Sequence, residues 1–584
     1  MNNRTLLVLL LPLTSLVSIS SHAQQAANPA DTAAAARANA EQQQQVQQRR
    51  DAQQRAATVA APVVRSAAPV AGEWPVLPVE TPCFRIDTFS VEVPDTLPEV
   101  TRVKGASALP MDPFAFLHDW LRHYEGQCVG KQGLDVLTKG LQGVILSRGY
   151  ITTRVLLPAQ DLSTGTMKFA LIPGVIRHLK FADASTRGTL KTAFPARDGD
   201  VLQLRDLEQG LEQMKRVPNQ DASMEIVPGT VPGESDVVIT AKRTKPWSLV
   251  VSADNSGTRE TGGYIGNVSL GLYNLLGLND VLSAGFNQDL QFGNHDLGTH
   301  GWNASYAVPW GYWTGTLYGY TNTYYQQIAQ ASQIFVASGN AQTVGLKLER
   351  VIRRSQSDVT GVEFQLIKRW GESFIADTSI PQQHRDNTFI EAGLTNRHYF
   401  GASQFDGTLA YRQGIGGLGA QPDTPGRPTY RFRMATLDAN LSVPFALAGQ
   451  SFRYVGTLHG QFTNDELNYL DDLTIGSRYT VRGFSGETML AAEKGFYWRN
   501  ELQYPLGQTG QALYAGIDYG HLWGPSAAFL SGTQLAGAAV GVKGSVPSRL
   551  GAYSYDVFAG MPVYAPSGFP ASSVTLGFQV TAQF

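Results

Sequence analysis

Chemistry in this chain has few places to reside: two cysteines, one glycine-rich hexapeptide, and charged side chains set in loops or among glycines. Cys83 and Cys128 are its only thiols. Zinc wants four ligands, so two lone cysteines make a poor metal site. In an oxidising compartment they pair most simply as a disulfide, with two buried free thiols as the alternative. Gly414-Ile415-Gly416-Gly417-Leu418-Gly419 fits the dinucleotide fingerprint in letters, but it opens no helix and falls in a long connection. No Walker A sequence and no G-x-S-x-G elbow occurs. Asp465, Glu466, Asp471 and Asp472 lack the spacing of a calcium loop and read as a solvated loop, and His295 with His300 is no metal motif. Neither enzyme, cofactor nor metal is expected. What remains is Arg482, in Gly476-Ser477-Arg478-Tyr479-Thr480-Val481-Arg482-Gly483-Phe484, and Asp518, in Ala515-Gly516-Ile517-Asp518-Tyr519-Gly520. Taken singly they are a loop arginine and a turn aspartate.

The elements that must position these residues are strands. From about Lys245 to Phe584 the sequence runs in segments of alternating polarity. In the last, Val574, Leu576, Phe578, Val580, Ala582 and Phe584 share one face, and Thr575, Gly577, Gln579, Thr581 and Gln583 the other. Tyr264, Val268, Leu270 and Leu272 oppose Asn267, Ser269 and Gly271 in the same way. A soluble sandwich also alternates, but here short and long connections take turns. Asn274–Asp280, Pro309–Gly311, Ser355–Asp358, Tyr399–Ser403 and Pro505–Gln511 are short. Gln326–Asn340, Arg369–Asn387, Gly414–Pro428 and Leu467–Glu493 are long. Short periplasmic turns with long outer loops are the habit of membrane barrels. Trp310, Tyr312, Trp313, Tyr324 and Tyr325, near segment ends, suit interfacial girdles. The count is about sixteen strands, enough to enclose an aqueous lumen.

Ahead of the strands lie several segments. Arg4, the apolar run Leu6–Val17 and Ser21-His22-Ala23 form a secretory signal over residues 1–23. No other stretch has the roughly 20 apolar residues of a spanning helix, so membrane passage requires a closed barrel. Residues 24–57 include Ala30–Ala57, rich in Ala, Gln, Arg and Glu, which is helical by propensity and polar all round. It is a solvated linker or a helix in a wet lumen, about 40 Å long at ~1.5 Å per residue. Residues 58–82, with Pro62, Pro69, Pro75 and Pro78, read as an extended linker. Residues 83–174 and 175–243 repeat one order, β-α-α-β-β. Helix faces within them carry Leu134, Leu137, Leu141, Val144 and Ile145, then Leu204, Leu207, Leu211 and Met214. Residues 244–584 are the barrel. The formal net charge of -2 gives nucleic acid no electrostatic hold.

Val481-Arg482-Gly483-Phe484 resembles the VRG-aromatic signature of the superfamily that holds the Bam assembly protein and the two-partner secretion transporters. Gly516-x-Asp518-x-Gly520 resembles the inner-wall motif that accompanies it, and Phe584 resembles the terminal signal for barrel insertion. The order helix, linker, two POTRA units and sixteen strands is similar to the two-partner branch over Ala30–Phe584. Bam-type proteins carry five POTRA units and no such helix. The resemblance implies that the Arg482 loop folds into the lumen and locks on Asp518. It also implies POTRA units that catch a large unfolded exoprotein of haemolysin, adhesin or contact-dependent toxin type in the periplasm. Passage would then proceed without ATP through a monomeric barrel set in outer-membrane lipid and lipopolysaccharide by the Bam machinery. The alternative is a barrel-assembly insertase.

Overall fold

The computed structural model describes residues 43, 44, 46, 48–50, 53, 64, 74–99, 112–291, 297–329 and 334–584. The signal at 1–23, most of 24–57, the linker from 58 to 73 apart from Val64, and His295 lie outside the described residues. Residues 43, 44, 46, 48, 49, 50 and 53 are helical.

Two short strands open the first unit. Phe84–Ile86 pairs with Gln127–Val129, while Thr88–Glu92 runs parallel to Thr166–Ile172, itself antiparallel to Arg154–Leu156. Helices Phe116–Arg122 and Lys131–Ser147 cover the sheet, with Leu117, Leu121, Leu137, Leu141 and Ile145 fully buried against Phe169. The Cys83–Cys128 disulfide, Cα to Cα 5.5 Å, fastens the strand before the first helix to the strand after it. The last part of the linker is no free tether. The Tyr124 hydroxyl donates to the Pro75 carbonyl at 2.9 Å, and the Glu80 carboxylate accepts from the backbone N–H groups of Gln132 and Gly133 at 2.9 and 2.7 Å. Those amides open the helix Lys131–Ser147, where a carboxylate satisfies orphan donors and meets the positive end of the dipole.

The second unit repeats the pattern. Val175–Phe181 runs parallel to Glu234–Arg243, which pairs antiparallel with Gln220–Pro228. Helix Leu204–Lys215 turns Leu207, Leu211 and Met214 into the core with Phe194, Val237 and Ile239. Its polar side is buried as well: Arg205, Glu208, Gln209 and Gln213 are all closed off.

Among the described residues sixteen strands, Trp247–Asp254 to Thr575–Gln583, close a barrel of nearest neighbours, with the short piece Thr378–Ser379 extending one hairpin. Alternation assigns the faces. Val344, Leu346, Leu348, Phe364, Leu366, Leu513, Ile517, Leu576 and Val580 point outward and are exposed, as lipid-facing side chains must be. Asn322, Thr343, Glu363, Arg369, Glu391 and Asp518 are buried inside. Two expected loops shrink. Gln326–Asn340 is mostly strand, because Trp313–Ala329 and Ile334–Arg354 continue toward each other, and Arg369–Asn387 is likewise shortened by strands ending at Ile375 and resuming at Arg385. Polar residues there break the apolar alternation without breaking the ladder, which needs only backbone groups. Leu467–Glu493 is a true excursion, carrying its own hairpin of Leu473–Ile475 with Leu490–Ala492.

Closure is unequal around the wall. Trp313–Ala329 matches Ile334–Arg354 from Trp313↔Arg350 to Ala329↔Ile334, whereas the last strand meets the first only from Gln579↔Asp254 to Gln583↔Val250. Phe584 adds its backbone to that seam, donating to the Leu249 carbonyl at 2.9 Å and accepting from the Leu249 N–H at 3.2 Å.

Candidate functional site

The excursion between Gln450–Thr463 and Lys494–Pro505 folds into the barrel. Gly483 and Gly486 sit at φ +108° and +88°, a region that side chains avoid, and they turn the chain around Phe484. The wall beneath is thinned to receive it. A Cβ on Gly516 would lie 2.4 Å from Arg482 Nη2, and one on Gly537 would lie 1.8 Å from the Arg482 carbonyl oxygen. At Gly520 a Cβ would crowd Ile475 and Val481.

Arg482 is 3% exposed and Asp518 1%. Arg482 Nε donates to Asp518 Oδ2 at 2.8 Å and Nη2 to Oδ1 at 2.9 Å, a side-on bidentate pair, and the Arg482 backbone N–H adds a third bond to Oδ2 at 2.9 Å. The other edge donates from Nη1 to Glu501 Oε2 at 2.6 Å, and Nη2 reaches the Asn500 carbonyl at 3.1 Å. Lys543 bonds Glu501 in turn, and Arg499 Nε stands 3.8 Å from Asp518 Oδ2. A buried ion pair holds when geometry is good and the remaining lone pairs are satisfied, and both conditions are met here. Val481 and Phe484 face the other way, into an apolar cluster with Leu473, Ile475, Leu490, Tyr497, Leu522, Leu535 and Phe569.

The motif residues therefore meet. Val481, Arg482, Gly483 and Phe484 lie on the loop, and Gly516, Asp518 and Gly520 lie on the inner face of Gln511–Trp523. Sequence reading missed Glu501, Asn500, Arg499 and Lys543. The signal was available: Arg499 and Glu501 alternate with the exposed Trp498 and Leu502, which places charges at period two on the inward side. Register then sets Arg499 beside Asp518 and Glu501 beside Gly516.

The N-terminal helical residues touch this loop. Ser477 Oγ donates to Gln48 Oε1 at 2.5 Å, the Gln48 amide bonds Thr474, and the Gln44 amide bonds the Tyr469 carbonyl. Arg50 donates to the Thr321 carbonyl at 3.2 Å and lies 3.8 Å over the Tyr320 ring. Arg478, also on the loop, donates from Nη1 to Asn255 Oδ1 at 3.0 Å and to the Phe578 carbonyl at 3.2 Å, one on each side of the seam.

A second contact, unforeseen in the sequence, joins the helix Leu204–Lys215 to the short-turn end of the barrel. The Gln213 and Gln209 amides donate to the Gly311 carbonyl at 3.0 and 3.3 Å, and the Tyr312 hydroxyl bonds Asp206. Arg354, at the end of its strand, donates to Gln209 Oε1 at 2.9 Å, to Glu212, and to the Val64 carbonyl at 3.1 Å. Asn279 donates to the Thr189 carbonyl at 2.8 Å. Burial raises the Asp206 carboxyl against its bond to Tyr312, and inside the unit Arg177 and Lys180 hold the Asp236 carboxyl well below its ordinary value.

Comparison with known proteins fits this geometry. The profile described as haemolysin secretion/activation protein ShlB/FhaC/HecB matches residues 233–544, and POTRA profiles match 99–174, of ShlB type, and 175–228. An outer membrane transporter CdiB-2 of Burkholderia pseudomallei is 63% identical over 98% of this chain and 99% of its own length. The hemolysin transporter protein ShlB of Serratia marcescens is 25% identical over 70% of this chain and 74% of its own length.

 Among solved structures, CdiB from Escherichia coli superposes with a TM-score of 0.80 at 27% identity, covering 94% of this chain and 98% of that one. CdiB from Acinetobacter baumannii gives 0.81 at 24% identity, a likeness of fold. With its paired POTRA units, closed barrel and inward loop, the chain belongs to the haemolysin secretion/activation family ShlB/FhaC/HecB, as an outer-membrane transporter of the two-partner secretion type.

Proposed function

We propose that the chain exports one large exoprotein, taken up unfolded in the periplasm and released at the cell surface. The related transporters are named for haemolysin and for the Cdi system, and a client of haemolysin, adhesin or contact-dependent toxin type is the matching class here. The POTRA sheets supply the catching surface. Gln220–Pro228 is an edge strand of the second unit, and an extended client segment adds to such an edge through main-chain hydrogen bonds. Segment 24–57 is a plug that leaves for transport, the Arg482–Asp518 pair is the lock on the inner loop, and folding of the client outside makes passage one-way without ATP. The barrel works as a monomer in outer-membrane lipid and lipopolysaccharide, and the Bam machinery inserts it by reading Phe584.

The observation that carries this reading is that Gln44, Gln48 and Arg50 bond to the inner loop and the inner wall. A passive pore has no use for a tethered helix there. Deleting Gln24–Ala57 is expected to raise conductance in planar bilayers while export continues. Unchanged conductance would remove the plug from the scheme.

A further inference from the structure

The side-on edge of a guanidinium, Nε with Nη2, is filled by an aspartate in two arginines of this chain. Arg177 donates from Nε and Nη2 to Asp236 at 2.7 and 2.8 Å, and Arg482 does the same to Asp518. Arg216 breaks the pattern. It caps the C-terminal end of Leu204–Lys215, and its Nε and Nη2 are shut off from solvent yet donate to no described residue. Two buried donors left unmet are costly, so a partner is called for.

Arg216 lines a cavity of about 180 Å³ between that helix and the inner wall, bounded also by Gln213, Tyr312, Thr314, Glu349 and Thr395. A water's share of liquid volume is roughly 30 Å³, so a carboxylate fits with room for solvent. The acids bordering the cavity are engaged elsewhere: Glu212 by Arg354, and Glu349 by Lys347 at 2.9 Å. The other cation there, Arg350, sits 5.1 Å over the Trp313 ring. Burial pulls the Arg216 guanidinium down and Glu349 pulls it back, without a hydrogen bond.

We propose that Arg216 is a carboxylate-binding site at the periplasmic mouth of the barrel, which takes acidic side chains of the polypeptide in transit through its side-on edge. The site deepens the export reading and rests on it. The same chemistry has a second source in Glu349 of this chain, after a change of rotamer.

The test uses the full chain in detergent, with a labelled Gly/Ser peptide carrying three aspartates and its asparagine twin as probes, read by fluorescence anisotropy. The aspartate peptide is expected to bind about tenfold tighter, the difference made by one charge-assisted bidentate pair. Arg216→Gln is expected to equalise the two peptides. Arg216→Lys, which keeps charge and loses the fork, restores under half of the discrimination. Glu349→Gln is expected to keep it. Equal or unmeasurable affinities in the unsubstituted protein overturn the site, and discrimination that appears only in Glu349→Gln assigns the edge to Glu349. Export of a two-partner exoprotein expressed together with the chain is scored in parallel. A chain that exports but binds both peptides equally loses only the Arg216 site, whereas one that exports nothing loses the transport reading.

Discussion

The inner loop and the second POTRA unit are each fastened to the barrel through a buried arginine, in opposite senses. At the loop, Arg482 belongs to the added element and the carboxylates Asp518 and Glu501 to the wall. At the POTRA unit, Arg354 belongs to the wall and Glu208 and Glu212 to the added element. The first joint is backed by the apolar cluster around Val481 and Phe484. The second, beyond the Arg354 ion pairs, is made of amides, hydroxyls and backbone carbonyls. The difference concerns release. Polar groups freed into water recover hydrogen bonds and lose little, while an apolar face does not. On this contrast the loop is expected to leave its seat more rarely than the POTRA joint opens.

Arg482→Ala breaks that comparison most severely. It takes the guanidinium from Asp518 in a closed site while Glu501 keeps Lys543, a change worth about 3–5 kcal/mol. Loop cleavage by protease should rise steeply and export fall more than tenfold while the barrel still inserts, and normal export would take the lock out of the mechanism. Asp518→Asn should do the same to a smaller degree, because Glu501 keeps its hold on Nη1. The protease assay that ranks the two substitutions checks this. Arg354→Ala comes next, at about 1–3 kcal/mol, since Glu208 retains Arg205 at 2.8 Å. Spin-label distances between the second unit and the barrel should broaden with the barrel melt unchanged, and a sharp distribution would mean the joint rests on Gln213 and Tyr312.

The smallest effect is one of pH. The Asp236 carboxyl lies below its unfolded value because Arg177 and Lys180 favour the charged form. Its contribution is present above the unfolded value, near 3.8, and is lost as pH falls through the folded one. Asp236→Asn should flatten the acid limb of POTRA unfolding, followed by circular dichroism on the intact chain, and leave the loop joint untouched.

Much of the barrel was legible in the residues. Outward Leu576 and Val580 in the last strand follow from alternation alone, because period two records which side meets lipid. The extent of the hairpins was not legible. Trp313–Ala329 and Ile334–Arg354 outrun their apolar stretch on backbone ladder alone. The helix Leu204–Lys215 showed its apolar face through Leu207, Leu211 and Met214, but nothing distinguished its polar side from one facing water. Cys83 and Cys128 were placed together by compartment, and the fold adds that their bond spans the first helix.

By itself, the sequence determined the closed barrel and the doubled periplasmic unit, since polarity period and repeat order are local records of environment, whereas the pairing of Arg482 with Asp518 was implied only by the resemblance of their motifs to a family. Only the tertiary structure decided which polar groups meet across the lumen and the mouth. Gln48 and Ser477 stand 429 residues apart, and Glu212 and Arg354 stand 142 apart. Such pairings depend on where barrel closure and POTRA docking bring the backbone, and a chain of hydrogen-bonding side chains carries no periodic signal of its distant partner.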